Sequence, residues 1–494
     1  MPAFHRPLMF VGTASDVGKS VITAGFCRIL RQDGYRPAPF KAQNMSLNSF
    51  VTPDGLEIGR AQAVQAEAAD VPCSSDMNPV LLKPNGDTHA QLVLHGKAAG
   101  NQSAFDYFMS SDRAALWEEV RSAYDRLAAR YNPIVMEGAG SISELNLKKQ
   151  DIANMRMAQY ANADVYLVAD IDRGGVFASV YGTMALLSPE ERALIKGVII
   201  NKFRGDVRLF EEGRKQIESL AGVPVVGVLP FFRDIHIEEE DSVALRHRSR
   251  EHKPGAVNIA IVHLPHMANY TDFAALERTG LHVYYTDDPA ELAQAKVIIL
   301  PGSKNTIGDL AHIRSRGVGK AIGAAEAAGV VVVGICGGYQ MMGLTVADPF
   351  GVEGEPQTVE GLGLLPVHTV LTKEKTTVRR KMRFLSTEGP ICEGYEIHMG
   401  QTEANGHALQ PLAFPVHRGE KPDGYRISDT CWGTYLHGIL DNRDVVEDML
   451  RRAGVQNVHL PDYRAFKERQ YDRLADHLRQ HLDLTFMYKE LSRV

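Results

Sequence analysis

Residues 8–30 read Leu8-Met-Phe-Val-Gly12-Thr-Ala-Ser-Asp-Val-Gly18-Lys19-Ser20-Val-Ile-Thr-Ala-Gly-Phe-Cys-Arg-Ile-Leu30. This stretch decides the fold of the first half. An apolar run stops at Gly12, a glycine-bounded loop follows, and a helical pattern starts at Lys19. Glycines let backbone N–H groups approach phosphate oxygens, and the helix adds its positive N-terminal end. Lys19 is placed to reach outer phosphates, and the Ser20 hydroxyl to ligate Mg²⁺. The candidate nucleotide-binding residues are Gly12, Thr13, Asp16, Val17, Gly18, Lys19 and Ser20. Five residues separate Gly12 from Gly18, where the plain phosphate loop has four. A purely structural strand–helix turn is the alternative.

Working outward, Pro133-Ile-Val-Met-Glu137-Gly-Ala-Gly-Ser141 reads as a buried strand ending in a carboxylate and glycines. An acid at a strand tip beside a phosphate loop commonly holds Mg²⁺. Glu137 therefore joins Ser20 as a candidate metal ligand, with an acidic strand cap as the plain alternative. Asp170 and Asp172, at another strand tip, are weaker candidates. Asn201 is a candidate for recognising the base through its amide, or equally a turn residue. Candidate strands are Leu8–Gly12, Ile134–Glu137, Val165–Ala169, Val198–Asn201 and Val225–Leu229. Short apolar runs alternating with helical patterns read as α/β with mainly parallel sheets, whose ligands sit at strand ends.

The chain has 494 residues, enough for two to four domains. Its composition is 44% hydrophobic and 23% charged, which excludes disorder and rod-like repeats. A net charge of −6 argues against general nucleic-acid binding. No apolar run is long enough to span a membrane, and the N-terminal one is too short for a signal peptide. Five scattered cysteines without a CxxC pair suggest neither zinc nor a disulfide framework. A cytoplasmic location is expected. Residues 233–256 are charged and close on Pro254-Gly255, which reads as a domain end and linker. The expected division is domain one at 1–235, linker at 236–256 and domain two at 257–494. The helical pattern of Tyr463–Leu482 is expected to close the second domain as a surface helix.

The second α/β series contains Gly334-Ile-Cys336-Gly-Gly-Tyr-Gln340 after a β-branched run. A strand–nucleophile–helix elbow exposes a side chain among small residues, and the helix start favours the thiolate. Cys336 is the candidate nucleophile, although a lone cysteine is usually structural. Its candidate base is His437, in Gly433-Thr-Tyr-Leu-His437-Gly. Gly337 and the loop Pro301-Gly302-Ser303 are placed to supply oxyanion-hole donors.

These residues resemble known families. The N-terminal loop is similar to that of the dethiobiotin synthetase-like branch of phosphate-loop proteins. The elbow, the Pro-Gly loop and the late histidine resemble the class I, triad-type glutamine amidotransferases. That resemblance implies that Gln340 lies near bound glutamine. The family often places an acid two residues after the histidine, where this chain has Ile439. Glu396 and His398 are the substitutes considered for orienting His437, with a dyad as the alternative.

An ATP site and a glutaminase in one chain suggest amidation of a carboxylate. ATP would convert the carboxylate to an acyl phosphate, and ammonia released from glutamine through a Cys336 thioester would attack it. Nearly the whole chain resembles the cobyric acid synthase family, notably in Lys41-Ala-Gln-Asn-Met-Ser-Leu-Asn-Ser49, around Asp151–Met155, in Asp170–Phe177 and in Asn201–Asp206. The resemblance implies a corrinoid substrate, adenosylcobyrinic acid a,c-diamide, amidated at four propionates (b, d, e and g). Its partners would be the corrinoid, L-glutamine and ATP with Mg²⁺, without nucleic acid or membrane. Cobalt would belong to the substrate, and a homo-oligomer is compatible. Gln43, Asn44, Ser46 and Asn48 could meet phosphates or amide products. The competing readings are cobyrinic acid a,c-diamide synthase, a phosphate-loop scaffold or switch with an inactive glutaminase, and a ligase using CO₂ or free ammonia.

Overall fold

The computed structural model describes residues 5–84, 89–103, 113–238, 248–406, 409–456, 458 and 460–492. The first half is built on a six-stranded sheet. Its strands are β1 (Leu8–Gly12), β2 (Ala38–Phe40), β3 (Ile134–Glu137), β4 (Asp164–Asp170), β5 (Ile195–Phe203) and β6 (Val225–Pro230). They lie in the order β6-β5-β4-β1-β3-β2, every pair parallel. Alternation along β1 sends Leu8 and Phe10 to one face and Met9 and Val11 to the other, each into a separate core. Helix α1 (Lys19–Gln32) leaves the glycine loop and covers the Leu8/Phe10 face. Between β2 and β3 the chain adds a four-stranded sheet and the hairpin Ser49–Val51/Glu57–Gly59.

The second half continues from β7 (Asn258–Val262) through β8 (His282–Thr286), β9 (Val297–Leu300), β10 (Val331–Ile335) and β11 (Cys431–Thr434). These run parallel in the order β8-β7-β9-β10-β11. The sheet then turns antiparallel and reaches a long hairpin, Val367–Phe384 with Ile391–Ala404. Strands β7, β9 and β10 are fully buried and made mostly of Val, Ile and Leu, as expected of a sheet covered on both faces. Both halves are therefore α/β with a parallel sheet flanked by helices, which the second half extends by antiparallel strands.

One expectation is corrected. Helix α2 (Tyr463–His481) does not close the second half; it returns to the first. Leu474, Ala475 and Leu478 of α2, with Met487 and Leu491 of α3 (Leu484–Leu491), pack against Leu8, Phe10 and Phe26. The contact is close: a Cβ on Gly25 would meet Leu478 Cδ1 at 2.3 Å. Arg28 adds ion pairs to Glu468 (2.9 Å) and Asp472 (2.7 Å). The amphipathic pattern reveals a buried face but not which sheet buries it. The core of the expected linker, at 239–247, lies outside the described residues. No helix among the described residues is long and apolar enough to cross a membrane.

Candidate active sites

At the first site, the loop between β1 and α1 turns through Asp16 (φ 57°) and Gly18 (φ 99°). The second of these is a left-handed position that suits glycine. A Cβ on Gly18 would also lie 2.2 Å from Asn201 Nδ2. Lys19 Nζ donates to the carbonyls of Ala14 (3.2 Å) and Gly140 (2.9 Å), which folds its ammonium over the loop. Asn201 donates its amide to Val17 O at 2.8 Å, so here it braces the loop. Thr13 is tied to β4 through its N–H to Val168 O, 3.0 Å.

Glu137 ends β3 beneath this loop, 1% exposed. Its Oε1 accepts from Ser20 Oγ (2.8 Å) and Lys41 Nζ (2.8 Å), and its Oε2 from Gln65 Nε2 (2.7 Å). Burial alone would raise its pKa, but the Lys41 ammonium and these hydrogen bonds hold it below the usual carboxylate range. The two candidate ligands fit Mg²⁺: 2.8 Å between Ser20 Oγ and Glu137 Oε1 is close to the roughly 3 Å edge of an octahedron with bonds near 2.1 Å. No cluster of three His, Cys, Asp or Glu occurs among the described residues, which suits an ion that keeps waters and phosphate oxygens. Asp170 and Asp172 are engaged elsewhere, with Lys202 (2.9 Å) and Arg204 (2.5 Å). The cleft over the loop measures about 1520 Å³, beyond the roughly 300–1,000 Å³ of an ordinary small-ligand pocket. Its walls include Gln43, Asn44, the exposed Met45 and Leu147, Arg113 and Lys148.

At the second site, β10 delivers Cys336 at φ 52°, ψ −109°, a strained conformation just before the helix Gly337–Met342. Such strain costs of order 1–3 kcal/mol and persists where the surroundings enforce it. Here the enforcement is close packing: a Cβ on Gly338 would lie 2.1 Å from Leu300 O, and one on Gly337 2.7 Å from Ser303 N. The elbow thus brings Gly337 against the Pro301-Gly302-Ser303 loop. Gly302 in turn faces both candidate side chains, its Cβ direction 3.1 Å from His437 Cε1 and 3.8 Å from Cys336 Cβ. Gln340 is buried, accepting from Thr306 Oγ1 (3.0 Å) and donating to Tyr435 OH (3.3 Å). Cys336, His437, Gly302, Ser303 and Gln340 line one small cavity.

The group that orients His437 is Asp272, which the sequence reading missed. Its Oδ2 lies 2.7 Å from His437 Nδ1, and its Oδ1 accepts from Gly438 N at 2.9 Å. Burial works against the imidazolium, but Asp272 and a hydrogen bond with Cys336 outweigh it and push His437 up to about 10. The two proposed substitutes serve elsewhere. Glu396 binds Arg380 (2.8 Å) and His398 (2.9 Å), and His398 stacks on Tyr435. Asp272 stands 165 residues before His437, in Asn269-Tyr-Thr-Asp272-Phe. Spatial partners so far apart leave no local spacing to read.

The turn that carries Asp272 is clamped from the first half. Asn48 Oδ1 accepts from Tyr270 N (3.1 Å), and Asn269 Oδ1 accepts from Ser49 N (2.9 Å). Tyr395 donates to Ser49 O (3.2 Å) and stacks on His437. The polar segment Gln43–Ser49 therefore runs from the nucleotide cleft to the support of the cysteine site.

Comparison with known proteins agrees with this layout. The CobQ/CobB/MinD/ParA nucleotide binding domain matches residues 8–243, and the CobB/CobQ-like glutamine amidotransferase domain matches residues 258–445. The chain is 57% identical over 491 residues to cobyric acid synthase of Phocaeicola vulgatus, covering 99% of this chain and 98% of that protein. It is 48% identical over 502 residues to that of Syntrophobacter fumaroxidans, covering 97% of each. It is 47% identical over 502 residues to that of Klebsiella pneumoniae, again covering 97% of each. With a nucleotide-binding half, an amidotransferase half and full-length likeness of this degree, the chain belongs to the cobyric acid synthase family.

Proposed function

We propose that this chain converts adenosylcobyrinic acid a,c-diamide to adenosylcobyric acid by amidating the b, d, e and g propionates, with ATP and glutamine. The observation that carries this reading is the joining of two sites by one polar segment. One is a phosphate-loop cleft too large for a single ordinary ligand. The other is a buried Cys–His–Asp arrangement.

Cys336 attacks the carboxamide carbon of glutamine, and His437 carries the proton to the departing ammonia. Asp272 holds the imidazole in place and stabilises its charged form. The N–H groups of Ser303 and Gly337 receive the oxyanion, and water then hydrolyses the thioester to glutamate. In the cleft, the residues from Gly12 to Ser20 cradle the ATP phosphates and Lys19 reaches the outer ones. Ser20 and Glu137 would hold Mg²⁺, which would neutralise charge on the phosphates. A propionate takes the outer phosphoryl group, ammonia displaces phosphate from the acyl phosphate, and the amide forms. The exposed Met45 and Leu147 offer apolar contact to a macrocycle, while the half-buried Gln43 meets acid or amide at its rim.

The test is Cys336→Ala assayed with glutamine and with ammonium salts. Loss of glutamine-dependent amidation with ammonia-dependent amidation retained supports the reading. Loss of neither, or a reaction indifferent to ATP, overturns it.

A further inference from the structure

The cavity that holds Cys336 is also lined by charge. Lys83, Lys304 and Lys375 all line it, together with Glu353. Lys83 comes from the first half, in the strand Val80–Pro84; Lys304 follows the Ser303 loop; Lys375 lies on the long hairpin. One carboxylate, Glu57, answers two of these ammonium groups: Oε1 lies 2.7 Å from Lys83 Nζ, and Oε2 binds Lys375. Lys83 also donates to Ser49 Oγ (2.9 Å). The neutral amide oxygen of Gln91 accepts from both Lys304 (3.2 Å) and Lys375 (3.1 Å).

Lys304 is the odd member. Among the described residues it has no carboxylate within ion-pair distance, and its one acceptor is that shared amide oxygen. Each ammonium carries three N–H donors, so the cluster holds more donors and more positive charge than its acceptors satisfy. Burial and the neighbouring Lys375 and Lys83 charges pull Lys304 down to about 7. Lys304 thus lines the nucleophile's cavity as a partly buried ammonium that no carboxylate among the described residues contacts directly, and an anion entering the cavity would fill that place. Glu353, which also lines the cavity, accepts from Ile307 N at 3.0 Å and offers a carboxylate of its own.

We propose that Lys304, supported by Lys375, binds the α-carboxylate of glutamine, and that Glu353 receives its α-ammonium. This rests on the glutaminase reading above. The substrate whose amide carbon meets Cys336 carries one charge of each sign at its other end, and the cavity presents the complement. Because Lys83, Glu57 and Gln91 belong to the first half, the amino-acid end of the pocket is complete only in the whole chain.

The experiment measures kcat/KM for amide hydrolysis by the full chain with glutamine, with 4-aminobutanamide (no carboxylate) and with 4-carbamoylbutanoate (no ammonium). Wild type should prefer glutamine over 4-aminobutanamide by at least a hundredfold. Lys304→Met should shrink that preference at least tenfold, chiefly through the KM for glutamine, and Lys304→Arg should restore most of it. Glu353→Gln should instead shrink the preference over 4-carbamoylbutanoate. Lys304→Gln is run in parallel, with the same criterion, against loss of fold in the Met variant. Equal losses on both amides, or no change in the ratio, overturn the subsite. A wild type that hydrolyses glutamine but does not discriminate also overturns it, while leaving the glutaminase reading intact. A wild type that hydrolyses no amide overturns both.

Discussion

Asp272→Asn isolates what the buried carboxylate does for His437. The two side chains are each 2% exposed and 2.7 Å apart, so water does not screen the pair. The substitution keeps the shape and an acceptor for Gly438 N, but it removes the charge and leaves the imidazolium unpaired. Breaking one partner out of a buried pair costs about 3–5 kcal/mol. If catalysis needs the charged imidazole beside a thiolate, kcat for glutamine hydrolysis should fall by roughly 10² to 5 × 10³-fold, at about 1.4 kcal/mol per decade. Burial, no longer opposed by Asp272, would favour the neutral ring, so His437 should titrate far below its value of about 10. The assays are glutamate release and the pH dependence of Cys336 alkylation by iodoacetamide. Without the imidazolium that Asp272 stabilises, the variant's alkylation profile should lie at higher pH than that of wild type. Glutamine hydrolysis within threefold of wild type, with an unchanged alkylation profile, would refute the assignment.

Other expectations follow from the same geometry. Lys304, held near 7, binds a carboxylate only when protonated, so the KM for glutamine should be flat below about pH 7. It should climb as pH rises through it, by up to about tenfold per unit; a KM independent of pH from 6 to 9 would contradict this. Asn48→Ala strips the Tyr270 N–H of its buried acceptor, a loss of about 1–3 kcal/mol. Steady-state kinetics should show glutaminase kcat lowered roughly 5- to 150-fold with the KM for glutamine held, and an unchanged kcat would break the clamp argument. Truncation before Tyr463 exposes the sheet face covered by Leu474, Leu478, Met487 and Leu491. At roughly 1.5–3 kcal/mol per fully buried large apolar side chain, that rivals the whole 5–15 kcal/mol stability of a domain. The truncated chain should aggregate or lose its cooperative thermal transition, and a native-like Tm would count against the packing described.

The fold was legible because its signals are local. The apolar run before Gly12, the run before Glu137 and the β-branched stretch before Cys336 each announce a buried parallel strand, and the structure has strands at Leu8–Gly12, Ile134–Glu137 and Val331–Ile335. The glycines at 337 and 338 likewise mark an elbow whose neighbours leave no room for side chains. Illegible features were those made by contact between distant segments. Asp272 is one acid among many until the fold lays it on His437. Lys83 and Glu57 read as ordinary charges on short strands, yet they meet Lys375 from the other half. Helix α2 shows its apolar stripe in the sequence, but only tertiary packing assigns that stripe to Phe10 and Phe26. Asn201 shows the limit from another side: an amide suited to a base is here occupied by the Val17 carbonyl.

The central claim is that nitrogen released at Cys336 becomes amide on a corrinoid activated by ATP. The most direct measurement incubates the full chain with adenosylcobyrinic acid a,c-diamide, Mg-ATP and glutamine labelled with ¹⁵N in its amide, and follows the corrinoid by mass spectrometry. The account predicts a ladder of products ending at four labelled amides, dependent on ATP. An unchanged corrinoid in the presence of active glutamine hydrolysis, or amides formed without the label, would contradict it.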